Sequence, residues 1–148
     1  MPCIRRAQET PLALNGSGYT PAAASVEGLS AGTKEISATT PDAVTVPGAV
    51  DSWCRLHTDY GSLALDKIFH SAIDAAENGF RVTPRVAFDW ERMQSRLRVH
   101  EAARKHYLPG DQPPDVGERL AQPALGATLR RIARQGKRPF MKERWRQK

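Results

Sequence analysis

Cysteine is nearly missing from this 148-residue chain, with Cys3 and Cys54 the only two. Two thiols make no disulfide framework, and they carry no metal-ligand spacing. Cys54 and His57 would share a helix face at i, i+3, but two soft ligands fall short of a four-ligand structural zinc site. His70, His100 and His106 stand apart from any second ligand, and no metal or cofactor role is expected of them. Also missing is an apolar run approaching the roughly 20 residues of a membrane helix. The start, Met1-Pro2-Cys3-Ile4-Arg5-Arg6, has no apolar stretch of the secretory kind, so a cytoplasmic location is the expectation for the chain as written. No Ser/His/Asp or Cys/His arrangement has supporting context.

Negative charge is also short, 16 acidic residues against 22 basic, a net of +6. Where the excess lies decides what it means. Residues 130–148 hold nine Lys/Arg and a single acid, Glu143, a net of +8. The remaining 129 residues are slightly acidic, at −2. Polyanion binding would therefore be confined to the tail and salt-sensitive, and a nucleic-acid partner is not expected of the body.

What is present is mostly helical patterning. Residues 1–42 are rich in small and turn-forming types (Gly16, Gly18, Pro21, Gly28, Gly32, Pro41), consistent with loops and one short helix near 22–29. Val44-Thr45-Val46 reads as a short strand broken by Pro47-Gly48. A helix is predicted over 49–59, with Val50, Trp53, Leu56 and Tyr60 as its apolar stripe. A second is predicted over 63–78, with Leu65, Ile68, Phe69, Ala72, Ile73 and Ala76 inward and Asn78-Gly79 as its stop. Pro84 opens a third, whose stripe is Val86, Trp90, Met93 and Leu97 and whose pattern weakens through Tyr107. A fourth runs from Gly117 or Glu118 to Arg134, with Leu120, Ala124, Leu125, Leu129 and Ile132 inward. Pro123 allows a start nearer Gln122. The fold class expected is a mainly α fragment with one or two short strands.

The tempting motifs have plainer explanations. Asn15-Gly16-Ser17-Gly18 lacks the Lys-Ser/Thr of a phosphate loop and reads as a turn. Asp89 and Glu91 flank Trp90 on different sides of a helix and make a poor acid/base pair. Trp53 and Trp90 lie on apolar stripes and read as core rather than ligand platforms. Arg130, Arg131 and Arg134 read as a solvated helix face. From residues alone, the chain is mostly helical and presents no recognisable site.

Two runs carry a resemblance: Leu14-Asn15-Gly16-Ser17-Gly18-Tyr19-Thr20-Pro21-Ala22-Ala23-Ala24, and Thr45-Val46-Pro47-Gly48-Ala49-Val50-Asp51-Ser52-Trp53. Further blocks follow in order: Tyr60-Gly61-Ser62-Leu63, Ala72 to Phe80, Val82-Thr83-Pro84, Tyr107 to Gly110, Val116 to Arg119, and Gln122 to Leu125. Together they resemble the large subunit of gamma-glutamyltranspeptidases, also called gamma-glutamyltransferases or glutathione hydrolases. The resemblance spans about Leu12 to Phe140. It implies an αββα N-terminal-nucleophile hydrolase as the parent fold, and transfer of a gamma-glutamyl group from glutathione to water or an amino acid. It also implies a threonine nucleophile on a small subunit released by autocleavage, with its own amine as base. That threonine belongs to a region far C-terminal to the one represented here, so no catalytic residue is expected in this chain. One substrate contact is implied within it, an arginine just before Pro-Ala-Ala that grips the glutamyl carboxylate. Ser17 or Tyr19 occupies that position, and neither supplies the charge. No substrate-binding residue is expected in consequence.

Both ends depart from the family pattern, giving segments 1–11, 12–140 and 141–148. Residues 4–10 have a possible coding that reads YDAHRKL one base later, and residues 141–148 one that reads YEGAVAAE in a shifted frame. Both shifted readings are family-like, so the expectation is a pseudogene-like remnant bounded by two frameshifts. Genomic DNA whose shifted frames encode nothing family-like sinks it. Three roles stay open: an inactive fragment, a small helical binding protein with a basic tail, or one part of a split enzyme with a separately encoded small subunit.

Overall fold

The structure is a computed structural model describing residues 3–4, 10–30 and 35–138. Most of segment 1–11 and all of 141–148 lie outside the described residues. The chain divides into two compact units, Met1–Leu65 with Arg134–Lys148, and Asp66–Ala133.

In the first unit, β1 (Cys3–Ile4) pairs antiparallel with β2 (Leu12–Ala13), Ile4 opposite Leu12. Helix α1 (Val26–Ser30) begins later than the sequence suggests. Pro21 instead forms a turn with Ala24 (3.0 Å), and the Ser25 hydroxyl accepts from the Gly28 amide at 3.0 Å, which fixes the helix start. The strand expected at 44–46 does not form. The segment's backbone bonds run from Val44 N–H to the Pro41 carbonyl at 3.0 Å and from Val46 N–H to the Tyr19 carbonyl at 2.8 Å, and it has no partner ladder. Helix α2 (Ala49–Tyr60) begins at Gly48 and stops where the Gly61 amide donates to the His57 carbonyl. Its predicted stripe is partly inverted. Val50 is buried as expected, but Ser52 and Cys54 join it, while Trp53 (45% exposed) and Tyr60 lie at the surface. The helix approaches a glycine loop too closely for large side chains, so small residues fill the contact.

In the second unit, α3 (Leu65–Asn78) buries Ile73 and Ala76, whereas Ile68 and Ala72 stay exposed. Gly79, at φ +83°, reverses the chain. The Arg119 guanidinium then donates to the Asn78 and Gly79 carbonyls at 2.9 and 3.3 Å, satisfying acceptors that the helix end leaves open. Strand β3 (Phe80–Arg81) pairs antiparallel with β4 (Arg119–Leu120), Phe80 opposite Leu120. This corrects the fourth-helix boundary. Leu120 is buried, but from a strand, and α6 spans Pro123–Gln135 with Pro at its first turn. Ala124 and Leu125, expected inward, are exposed, and Gly126 and Ile132 are the helix's buried positions.

Helix α4 (Pro84–Leu97) is capped by Thr83, whose hydroxyl accepts from the Val86 amide. A further helix, α5 (Glu101–Tyr107), occupies the stretch where periodicity fades. It ends at Leu108, only 2% exposed. Asp111 closes the following turn at φ +66°, where its carboxylate meets Arg98 at 2.8 Å and Arg104 at 3.3 Å. The hydrogen bond from Arg98 holds that carboxyl below its ordinary range. Arg130 is more than a solvated face: its guanidinium grips Glu77 through two 2.6 Å bonds and lowers that carboxyl's pKa.

The described chain is thus mainly helical with two two-residue strand pairs. Its buried apolar side chains are few (Val50, Cys54, Ile73, Ala76, Val82, Leu108, Leu120, Ile132), and none is as little as 1% exposed among the described residues.

Candidate functional site

A polar cleft lies in the first unit, where the loop 14–19 crosses the first turns of α2. Two glycines permit the crossing. A Cβ at Gly48 would sit 2.8 Å from the Gly18 nitrogen and 2.9 Å from the Gly16 carbonyl oxygen, both immovable backbone. Gly18 itself stands at φ +91°, and a Cβ there would drive into the Val46 carbonyl. The result is a cavity of about 250 Å³ whose walls include Asn15, Gly16, Tyr19, Asp51, Ser52 and Arg55.

The polar groups in this cleft have defined partners. Asn15 Oδ1 accepts from the Ser17 amide (3.1 Å) and hydroxyl (2.6 Å). The Ser17 carbonyl accepts from the Thr45 hydroxyl at 3.3 Å. Ser52, 5% exposed, donates its hydroxyl proton to the Ala49 carbonyl at 2.7 Å. Asp51 pairs with Lys137 at 2.6 Å. Arg55 reaches Asp59 only through Nε, at 3.7 Å. On the same helix, the Cys54 thiol is buried, and burial pushes its pKa up although Lys137 opposes the shift. A thiol held protonated is a poor nucleophile. His57, one turn on, contacts the Leu63 carbonyl through Nε2 at 2.6 Å rather than a nucleophile.

The two residues at the expected arginine position behave differently. Tyr19 lines the cleft and is 85% exposed, while Ser17 is tied into the loop's own hydrogen bonds. Asp51, Ser52 and Arg55, which close the other wall, went unrecognised in the sequence. The helix alone relates them only in part: Asp51 and Arg55, at i, i+4, are neighbours on α2, and it is the loop crossing that makes them a wall of the cleft. In the second unit, Asp89 and Glu91 indeed diverge. Asp89 borders an apolar hollow with Trp90, Met93 and Tyr107, and Glu91 a separate groove with Phe88 and Pro114. Trp90 is held by its indole N–H, which donates to the Tyr107 carbonyl at 2.6 Å. Among the described residues, no three His, Cys, Asp or Glu side chains gather as metal ligands. No described helix is long and apolar enough to cross a membrane.

The family model described as Gamma-glutamyltranspeptidase matches residues 1–144. The chain belongs to the gamma-glutamyltranspeptidase family. It is 37% identical over 94 residues to the acylase ACY 1 proenzyme of a Pseudomonas species (strain V22), which covers 64% of this chain and 17% of that relative. The cephalosporin acylase of Bacillus halodurans matches with TM-score 0.78 and 32% identity, covering 85% of this chain and 25% of that one. The Helicobacter pylori gamma-glutamyltranspeptidase gives TM-score 0.80 at 23% identity over 94% of this chain and 41% of that one, a likeness of fold. This gamma-glutamyltranspeptidase-family chain therefore spans under a fifth of the length of the acylase proenzyme.

Proposed function

We propose that the chain is part of a gamma-glutamyltranspeptidase-type large subunit, that it turns over no substrate alone, and that any activity requires a separately encoded subunit bearing the nucleophile. The observation that carries this reading is the chemistry of the cleft. Its one buried hydroxyl, Ser52, has its proton committed to a helix carbonyl, and its nearest histidine in sequence contacts a backbone carbonyl. The neighbouring thiol is pushed toward its neutral form. Acyl transfer needs a nucleophile with a base in hydrogen-bond reach, and the cleft offers no such pair. Ser17 and Tyr19 in place of an arginine weaken the natural grip on a glutamyl carboxylate as well. The parent αββα sandwich and gamma-glutamyl chemistry come to this chain through the family, whose relatives are proenzymes several times longer.

The test is release of a chromogenic aniline from a gamma-glutamyl anilide, by the purified chain and then with a family small subunit supplied in trans. Alone, the chain is expected to give only the background rate. Turnover by the chain alone would mean that the acyl-transfer groups lie within it, and would end this reading.

A further inference from the structure

The second unit carries an open groove of about 600 Å³ between α4 and the segment 112–116. Part of its wall is apolar and accessible: Phe88 is 50% exposed and Val116 60%, with Pro113 beside them. The charged residues among those lining it are Glu91 and Asp115, both acids and both exposed. Neither carboxylate enters an ion pair among the described residues. The cation nearest in sequence, Arg92, is already engaged, its guanidinium lying over the Phe88 ring at 5.4 Å from the centroid. Such a groove is complementary to a segment that brings positive charge and apolar bulk together, and its volume has room for several residues.

The chain itself holds a segment of that kind. Residues 139–148, which lie outside the described residues, contain Lys142, Arg144, Arg146 and Lys148 against a single acid, Glu143. The four cations alternate with Met141, Glu143, Trp145 and Gln147. In extended backbone, that period of two sends every cation to one edge and Met141 and Trp145 to the other. The root of the segment is held in the first unit, where Lys137 pairs with Asp51 at 2.6 Å. We propose that residues 139–148 of one copy dock in the α4 groove of a second copy, the cations meeting Glu91 and Asp115 and Trp145 meeting Phe88 and Val116. The contact runs head to tail, because the segment given and the groove receiving it are different surfaces. Its ion pairs are exposed and weaken with salt, so Trp145 supplies the larger share of the affinity. The inference concerns association alone, and a failed turnover assay leaves it standing.

The experiment is analytical ultracentrifugation of the full chain at low salt, from roughly 10 µM to 1 mM, the range of a weak contact. Concentration-dependent association is expected. Trp145→Ala should weaken it by about thirtyfold or more, the scale of an interface hot spot. A groove variant, Glu91→Gln with Asp115→Asn, and a segment variant, Lys142→Gln with Arg144→Gln and Arg146→Gln, should each associate about fivefold to tenfold more weakly. Mixing the two variants is the decisive step. One keeps its segment and the other its groove, so the mixture should form one-to-one pairs at concentrations where each variant alone sediments as a monomer. A wild-type chain that stays monomeric throughout, association that ignores either set of substitutions, or a mixture that does not pair each overturns the proposal. Glu91 and Asp115 are exposed, so neutralising them leaves the fold intact for the comparison.

Discussion

Gly18→Ala is expected to destabilise the first unit strongly and to erase the cleft. The residue sits at φ +91°, outside the range an L side chain tolerates, at a conformational cost of about 1–3 kcal/mol. The added Cβ would also collide with the Val46 carbonyl, an atom that cannot rotate aside because the Val46 amide is bonded to the Tyr19 carbonyl at 2.8 Å. Relief therefore requires the loop to leave the 44–48 segment, and with it the Thr45 bond to the Ser17 carbonyl. Gly117→Ala provides the control. Its φ is +85°, similarly left-handed, but nothing lies within 4 Å of a Cβ there. Thermal unfolding should show the Gly18 variant losing clearly more stability than the Gly117 variant, the excess being the steric part. If the two lose the same amount, the loop is free to move and the cleft is not a built feature.

The sequence told most about features whose cause is local. Asn78-Gly79 stops α3 because a left-handed residue must follow the last turn, and Thr83-Pro84 starts α4 through a side-chain cap and a fixed φ. Such signals need only adjacent residues, and both boundaries fall where the spacing predicts. The β3–β4 pairing was not legible, because two-residue strands nearly forty positions apart carry no period of their own. Helix α5 escaped for a related reason: Glu101–Tyr107 is seven residues of mostly polar pattern, held by the Trp90–Tyr107 bond rather than by an apolar stripe. Periodicity chose Trp53 over Ser52 for the inner face of α2, and packing reversed the choice. Gly16 lies so close to Ser52 that a Cβ would meet its side chain, and no large residue fits that contact. The cleft followed the same division. That no arginine stands between Gly16 and Thr20 could be read from the sequence, whereas Arg55 joined the cleft only once the loop was laid across the helix.

Leu108→Ala should produce a loss of similar severity in the second unit. Leu108 is 2% exposed, and the chain turns through it. Its amide donates to the Arg104 carbonyl at 2.9 Å, closing α5, and its carbonyl accepts from the Asp111 amide at 2.9 Å, opening the next turn. Truncation keeps both backbone bonds and removes only the buried side chain, so the measured change reports packing. Leu→Ala at such positions costs about 2–5 kcal/mol, set against roughly 5–15 kcal/mol for a whole domain. With so few other side chains buried this deeply, little neighbouring mass is at hand to collapse into the void, which favours the upper part of that range. Leu125→Ala, on an α6 position 43% exposed, should cost well under about 1 kcal/mol. Denaturant unfolding of the two variants checks the contrast. Equal midpoints would mean that Leu108 anchors no core in this chain, and that the helices of the second unit need surface from outside it to hold their arrangement.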